Sequence, residues 1–407
     1  MLKKLILENW KSFRYAELPI DPLTVLIGTN ASGKSNVVEA LEFLQRIVRG
    51  EDIEAALAGD KTFPSIRGGV EWAALQRETD FTLKVLIQGE DDTTDYFYSI
   101  KIQTKPVIQI LDEKIICRTS QLGKESNEFE LFSFNYNIIY QKALLKQLRN
   151  FAVHSIYDKL SLYLNENIYS QPKIIYVIVT LLHNIESIFI LNPIPSKMRD
   201  YSQLSESLES DASNIAGVLA ALSDDQKAEV ESTISAYTKN LPEGDIQRIW
   251  AEKVGRFGTD AMLYCQEQWK PGHITEIDAR SMSDGTLCFI AILTALLTRP
   301  EGSQLVIEEI DNGLHPSRAQ LLVRMLREIG AKRKIDILIT THNPALLDAL
   351  GPEIVPFVVV AHRDSETGES QLTVVEDIEN FPKLFASASL GKLTTTGAIE
   401  RSLSRND

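Results

Sequence analysis

Cysteine is scarce in this sequence: three residues in 407, Cys117, Cys265 and Cys288, far apart and with no C-x-x-C pair. That spacing argues against a disulfide framework and a structural zinc site, and makes a reducing cytoplasm the expected setting. Long apolar runs are missing too. The longest, 174–182, is too short to span a bilayer, and Glu8, Asn9 and Lys11 interrupt the N-terminal stretch before an apolar signal core can form, so no membrane is expected as a partner. Positive charge is in deficit, with 42 Lys and Arg against 56 Asp and Glu and a formal net charge of −14. A balance of that sign excludes the overall basic field that drives non-specific nucleic-acid binding, and any DNA contact must be local. What the chain does have is length and 44% hydrophobic residues, enough to bury a full core as one large domain or two.

The most informative stretch is 26–36, Leu-Ile-Gly-Thr-Asn-Ala-Ser-Gly-Lys-Ser-Asn. Gly28 and Gly33 bracket four residues and are followed by Lys34 and Ser35, the G-x-x-x-x-G-K-[ST] pattern whose backbone N–H groups wrap a nucleotide phosphate at a helix N-terminus. The flanks agree. An apolar strand is expected over 22–27 and an amphipathic helix over 36–48, its apolar positions being Val37, Val38, Ala40, Leu41, Phe43, Leu44 and Ile47. Asn30, Gly28, Gly33, Lys34, Ser35 and Asn36 are therefore the expected nucleotide contacts, with Ser35 also a magnesium ligand.

Strands are expected over 2–7 and 15–20, joined by Asn9-Trp10-Lys11-Ser12-Phe13. The polar stretch 51–69 could cross the nucleotide. Gln76, the only glutamine in this crossing region before the next strand, is a candidate magnesium contact or else an exposed helix-surface residue. Alternation at Phe81, Leu83, Val85, Ile87 and again at Tyr96, Tyr98, Ile100, Ile102 predicts an antiparallel hairpin of a β-subdomain. From 135 to 185 the spacing turns helical, through Ile139, Leu144, Leu148, Ile156 and Leu160, with no heptad repeat long enough for a coiled-coil arm. Lys142, Lys146, Arg149 and Lys159 lie along it as a solvated face or a DNA track. A short strand over 187–191 and helices over 214–222 and 225–239 complete an expected helical insertion.

A second constellation begins at Ser281-Met282-Ser283-Asp284-Gly285-Thr286, which precedes an apolar helix over 287–297 and places Ser283 and Gly285 at an anion-binding helix start. A buried strand over 304–307 then ends in Glu308-Glu309. At the carboxyl end of a sheet strand, one carboxylate (Glu308) can hold Mg²⁺ while its neighbour (Glu309) polarises the attacking water. The next buried strand, 335–339, ends at Thr341-His342, where His342 can hydrogen-bond a γ-phosphate.

The order of these motifs resembles that of the ABC-type ATPases related to RecF and the SMC proteins. Asn9 to Phe13 is similar to their Asn-Phe-Lys-Ser-Phe element with Trp10 in place of Phe, 282–286 to their signature loop, Glu308-Glu309 to the Walker B pair and His342 to the switch histidine. Ser-Asp-Gly-Thr, the Gly-Leu-His-Pro at 313–316, and 192–199 leading to Asp211-Ala212-Ser213-Asn214 look closer to the ATPase half of the OLD (overcoming lysogenization defect) nucleases and their stand-alone relatives in phage-defence operons. That resemblance implies an α/β ABC ATPase head with a mixed β-sheet core, an antiparallel β-subdomain and a helical insertion. The corresponding divisions are 1–134, 135–272 and 273–407. It also implies ATP and Mg²⁺ as cofactors, and a dimer or larger ring in which Ser283 and Gly285 complete a neighbour's site. Two departures stand out: Glu308 replaces the commoner Asp, and Cys288 stands where a basic residue usually follows the signature. The OLD nucleases continue into a Toprim domain, and the stretch after His342 carries no such cluster of acids. The resemblance therefore implies a cytoplasmic sensor or switch for a separate effector, similar to the ATPase subunit of PARIS, triggered by a phage protein or DNA. A DNA-repair ATPase of the RecF kind and a scaffold in which ATP is merely glue are the rival readings.

Overall fold

The structure, a computed structural model, describes residues 1–61, 64–119, 127–135, 172–270 and 272–403. The chain opens with an antiparallel hairpin, β1 (Leu2–Trp10) and β2 (Phe13–Pro19). β3 (Leu23–Ile27) leaves for a different sheet and runs into α1 (Lys34–Arg49), with α2 (Ile53–Ala58) behind it. β4 (Asp80–Gln88), β5 (Thr94–Gln103), β6 (Gln109–Thr119) and β7 (Asn127–Asn135) return to the first sheet, whose order is β2-β1-β4-β5-β6-β7. The eight alternating side chains of β4 and β5 foreseen from the sequence all point inward, each at most 1% exposed. The expected hairpin thus forms, extended by β6 and β7, which the sequence reading did not anticipate.

After α3 (Pro172–Glu186), which packs on α1, come β8 (Phe189–Leu191), β9 (Ser202–Gln203), α4 (Ile215–Ala221) and α5 (Asp224–Lys239). β10 (Ile246–Val254), β11 (Asp260–Lys270) and β12 (His273–Asp278) form a second antiparallel sheet, with β9 paired to one end of β11. The chain then alternates: α6 (Asp284–Thr298), β13 (Gln304–Ile307), α7 (Ala319–Arg333), β14 (Asp336–Thr340), α8 (Pro344–Leu350), β15 (Val358–Arg363) and β16 (Ser370–Val374). Three short helices follow: α9 (Phe381–Ser387), α10 (Leu390–Thr395) and α11 (Ala398–Leu403).

The third sheet, ordered β16-β15-β3-β14-β13-β8, is parallel except at its β16 edge. Its central strands are short apolar runs because both faces are covered. Leu26, Val306, Leu338 and Val359 face one core, shared with α1 and the first sheet; Val25, Ile27, Leu305, Ile307, Ile337 and Ile339 face the other, shared with α6, α7 and the β10–β12 sheet. The helix α1 is thereby held between two sheets. Trp10 from β1, Phe43 from α1 and Phe81 from β4 meet there, with ring centroids 4.8 to 5.9 Å apart.

The span 135–272 differs from the helical insertion expected of it. Its described part contains helices α3, α4 and α5, but β8 is a strand of the parallel sheet, and β9 to β11 are strands of their own sheet. The expected boundary at 272/273 falls in the turn between β11 and β12, which pair across it. The physical signal is the burial of Ala261, Leu263 and Cys265 against Ile249 and Ala251, blurred in the sequence because the intervening Met262 and Trp250 are apolar and buried too, while charged residues such as Arg248, Glu252, Lys253 and Asp260 flank the pattern. The helical pattern of Ile139 to Leu164, with its four basic residues, lies outside the described residues. Cys117, Cys265 and Cys288 are buried and form no disulfide. Among the described residues no helix is long and apolar enough to cross a membrane.

Candidate nucleotide-binding and hydrolysis site

The loop between β3 and α1 is shaped by its two glycines. Gly28 has φ 144° and Gly33, the N-cap of α1, has φ 115°, both in the region that L side chains rarely adopt. A Cβ on Gly28 would lie 2.2 Å from the carbonyl oxygen of Ala361, so the loop also packs too tightly there for any other residue. No acidic residue occupies the first turn of α1 and no side chain caps it, which leaves the positive end of the helix open to an anion. Lys34 bends back over the loop, its Nζ donating to the carbonyls of Gly28 (2.7 Å) and Thr29 (2.9 Å). Burial lowers the pKa of this ammonium, while Glu309, Glu308 and Asp311 pull it up. Asn30 is exposed on the loop, and Asn36 donates to Ser12 Oγ at 2.8 Å.

The neighbouring strands deliver the remaining groups to the same edge. Thr341 N–H donates to Leu26 O (3.2 Å), Ile310 N–H to Thr340 O (3.1 Å) and Glu308 N–H to Leu191 O (3.3 Å), so the exits of β3, β14, β13 and β8 are tied side by side. Glu308 comes directly onto the phosphate loop, where its Oε1 accepts the Ser35 hydroxyl. Glu309 turns the other way. Its φ is 47°, its N–H is fixed by Thr340 Oγ1 at 2.7 Å, and its carboxylate is exposed. His342 is likewise exposed at the exit of β14. Beneath it Thr341 donates to Asp311 Oδ1 (2.5 Å) and accepts from Asn343 N–H (3.0 Å), which pins the loop after the acids to the loop bearing the histidine.

Several groups here were not foreseen. Arg67 donates to Glu308 Oε1 (3.1 Å) and to Glu39 Oε1 (2.8 Å), and Lys11 is paired with Glu39, making a chain of charge from the acidic pair back to the β1–β2 turn. Gln76, expected at the magnesium, is exposed and makes no hydrogen bond to Ser35 or Glu308 among the described residues; the side chains on Glu308 are Ser35 and Arg67. The only hint of Arg67 was its place in the polar crossing 51–69. The substitution of Trp10 for Phe acquires a reason, because the indole N–H donates to Asn36 O at 2.7 Å, a bond phenylalanine cannot make.

Ser283 caps α6, accepting from Thr286 N–H at 3.1 Å. Arg199 clamps the same loop through Met282 O (2.9 Å) and Asp284 Oδ1 (2.7 Å), which supplies a cation beside the signature although Cys288 does not. Gly285 is required by close approach: a Cβ there would lie 2.5 Å from Gly313 O and 2.9 Å from Arg318 Nη1. Ser283 and Asp284 are exposed.

Residues 23–348, from the strand before the phosphate loop to just beyond His342, match the family model described as "AAA domain, putative AbiEii toxin, Type IV TA system". The chain belongs to this family. Membership of an AAA-domain family implies ATP binding and hydrolysis, and solved SMC heads share the fold. An SMC head bound to the C-winged helix domain of ScpA is 13% identical with a TM-score of 0.51, over 91% of this chain and 96% of that one. The SMC head domain from Thermotoga maritima is 13% identical, TM-score 0.43, over 92% and 98%; the head with an extended coiled coil from Pyrococcus furiosus is 11% identical, TM-score 0.46, over 95% and 99%. No curated protein matches the sequence.

For this ATPase the donor set fits magnesium. A hydroxyl and one carboxylate, Ser35 and Glu308, converge at the mouth of the phosphate loop, and Mg²⁺ is characteristically held by one or two such oxygens plus phosphate and water. Among the described residues no cluster of three His, Cys, Asp or Glu side chains could hold a metal without those further ligands. The bound ion would neutralise phosphate charge. Lys34 at the start of α1, Glu309 after β13 and His342 after β14 stand along the same edge of the sheet as this pair.

Proposed function

We propose that this ATPase is the cytoplasmic sensor or switch subunit of a two-component anti-phage system, similar to the OLD-related ATPases and to PARIS, which holds or controls a separate effector of the Toprim nuclease type. The observation that carries the reading is the placement of the two halves of an ATP site. The acids acting on Lys34 are Glu309, Glu308 and Asp311 of its own sheet, whereas Ser283 and Asp284 form an exposed loop whose contacts run to Arg199 and Thr286. A signature so presented serves the nucleotide of a second copy, so ATP closes a dimer or larger ring and hydrolysis opens it. A cycle of closing and opening is useful where another protein is held or released by it. The type IV toxin–antitoxin description of the family supports a protein partner, and one solved head of this fold is bound to a winged-helix domain. We place the docking face for trigger or effector on the 135–240 region, apart from Leu191 and Arg199, which touch the acidic pair and the signature loop.

Two measurements test the reading. Ser283→Arg and Lys34→Ala chains, each inactive alone, should regain turnover when mixed, because one intact composite site forms per dimer; no recovery at any ratio would leave the signature acting in its own chain. Expressed alone the protein should be harmless and give no phage protection, and with its operon neighbour it should protect, with Glu309→Gln abolishing that protection. Protection by this chain alone, or nuclease activity in the pure protein, would overturn the assignment. Turnover stimulated by DNA without any partner would favour the DNA-repair alternative.

A further inference from the structure

Beside the phosphate loop lies an open cavity of about 590 Å³, walled by the β1–β2 turn, the loop before β4 and the β15–β16 hairpin. Its relation to the phosphates follows from α1. Ser35 points to Glu308, which marks the metal and γ-phosphate end of the site; Asn36, the next residue, points to Ser12, and both Asn36 and Ser12 line the cavity. Arg67, which meets Glu308, lines the same cavity, so the space begins at the metal end and runs past Asn36 and Ser12, open to the nucleoside of a nucleotide seated in the loop.

The walls suit that occupant. Arg363 reaches the phosphate loop itself, donating to Ala31 O (3.0 Å), and its other bond is to Gly368 O (2.7 Å), so its charge meets neutral carbonyls and no carboxylate among the described residues. Arg77, exposed at the rim, has no ion pair among the described residues. At the lip stands Trp72, 61% exposed, its side chain seated on Gly68, where a Cβ would lie 2.7 Å from the Trp72 Cβ. Trp10 and Trp250 are buried, at 0% and 7%. A large flat side chain left in water at the mouth of a basic cavity is what stacking on a nucleobase requires.

We infer that Trp72 is the platform on which the base of the bound nucleotide stacks, with Arg363 and Arg77 facing its ribose and α-phosphate. The inference rests on the nucleotide reading above and makes the site selective for purines by stacking. Gln76 lines the same cavity.

The test compares ATP, CTP and inorganic tripolyphosphate on the full chain, by calorimetry and by tryptophan emission. ATP should perturb the emission and tripolyphosphate should not. Trp72→Ala should weaken ATP by about 5- to 100-fold, leave tripolyphosphate unchanged and remove the preference for ATP over CTP. Trp72→Phe, which keeps a ring, should retain most of the ATP affinity. Because Trp72 is exposed, the thermal melt should be the same in all three proteins. Equal ATP affinity in the parent and Trp72→Ala would overturn the stacking role while leaving the phosphate site standing, provided Lys34→Ala still loses tripolyphosphate. If the parent binds neither ligand, the nucleotide reading fails and this one with it.

Discussion

Glu309 is the residue at which backbone comfort and chemistry oppose each other. Its φ of 47° lies in the left-handed region, which costs an L-residue about 1–2 kcal/mol. Glycine would release that strain but adds about 0.5–1 kcal/mol of unfolded-state entropy, so Glu309→Gly should be between equal to the parent and about 1.5 kcal/mol more stable. Glu309→Gln keeps both the strain and the shape, and should match the parent within about 0.5 kcal/mol, as expected for an exposed position. Neither variant has a carboxylate to polarise water, so both should lose about 10²- to 10⁴-fold in hydrolysis while still binding ATP. Urea denaturation, phosphate release and ATP titration on the same preparations measure all three quantities. A Glu309→Gly protein clearly less stable than the parent would show that the conformation is not strained. Near-parental turnover in Glu309→Gln would remove Glu309 as the base, and if Glu308→Gln alone kept binding and lost turnover, the two acids would exchange roles.

Three further outcomes follow from the same geometry. Lys34→Ala removes the charge aimed at the phosphates and should lower ATP affinity about 100-fold or more with an unchanged melt; calorimetry showing parental affinity would sink the phosphate-loop assignment. Phe43→Ala empties a fully buried position between Trp10 and Phe81 and should cost about 3–5 kcal/mol in denaturant; a loss well under this range would mean the two sheets do not close on α1 as described. Burial pushes the Asp336 carboxyl from 3.8 up to about 6, with Asp21 adding to the rise and the Met1 ammonium opposing it. The folded chain then holds that proton more tightly than the unfolded one, so stability from this group falls as pH rises across that window and is level above it. Asp336→Asn should flatten this slope and add up to about 3 kcal/mol at neutral pH, and identical pH profiles for the two proteins would refute it.

The parts of the chain that could be read from sequence are those where one local rule acts without competition. The strand leading into the phosphate loop and the strands 304–307 and 336–340 are covered on both faces, so apolar runs punctuated by glycine or paired acids identify them. The β10 and β11 strands were missed because only one face is fully covered and polar residues such as Arg248, Glu252, Lys253 and Gln266 break the apolar pattern. The β15 strand carries four apolar residues in a row, Val358 to Ala361, yet it contains no motif that marks it as belonging beside β3. Within the site, residues acting at a strand exit were legible, and those acting across the fold were not. Arg67 meets Glu308 over 241 positions and Arg199 meets Asp284 over 85, separations at which no periodicity speaks.

The side-by-side exits of β3, β14 and β13 make the sheet a ruler. Neighbouring strands stand about 4.8 Å apart, so the phosphate loop, the histidine and the acids are set at one and two such steps along a single edge, whatever the lengths of the helices and loops that join them. The weak point of the ruler is β13, only four residues long. A slip of two residues along its partners would withdraw Glu308 and Glu309 by about 6.6 Å, and a slip of one would turn Leu305 and Ile307 into the core that receives Val306. Because those two cores are lined by different elements, the choice of which apolar side chain faces which layer also fixes how far the acids reach, and a substitution deep in β13 can alter turnover without touching any group at the site.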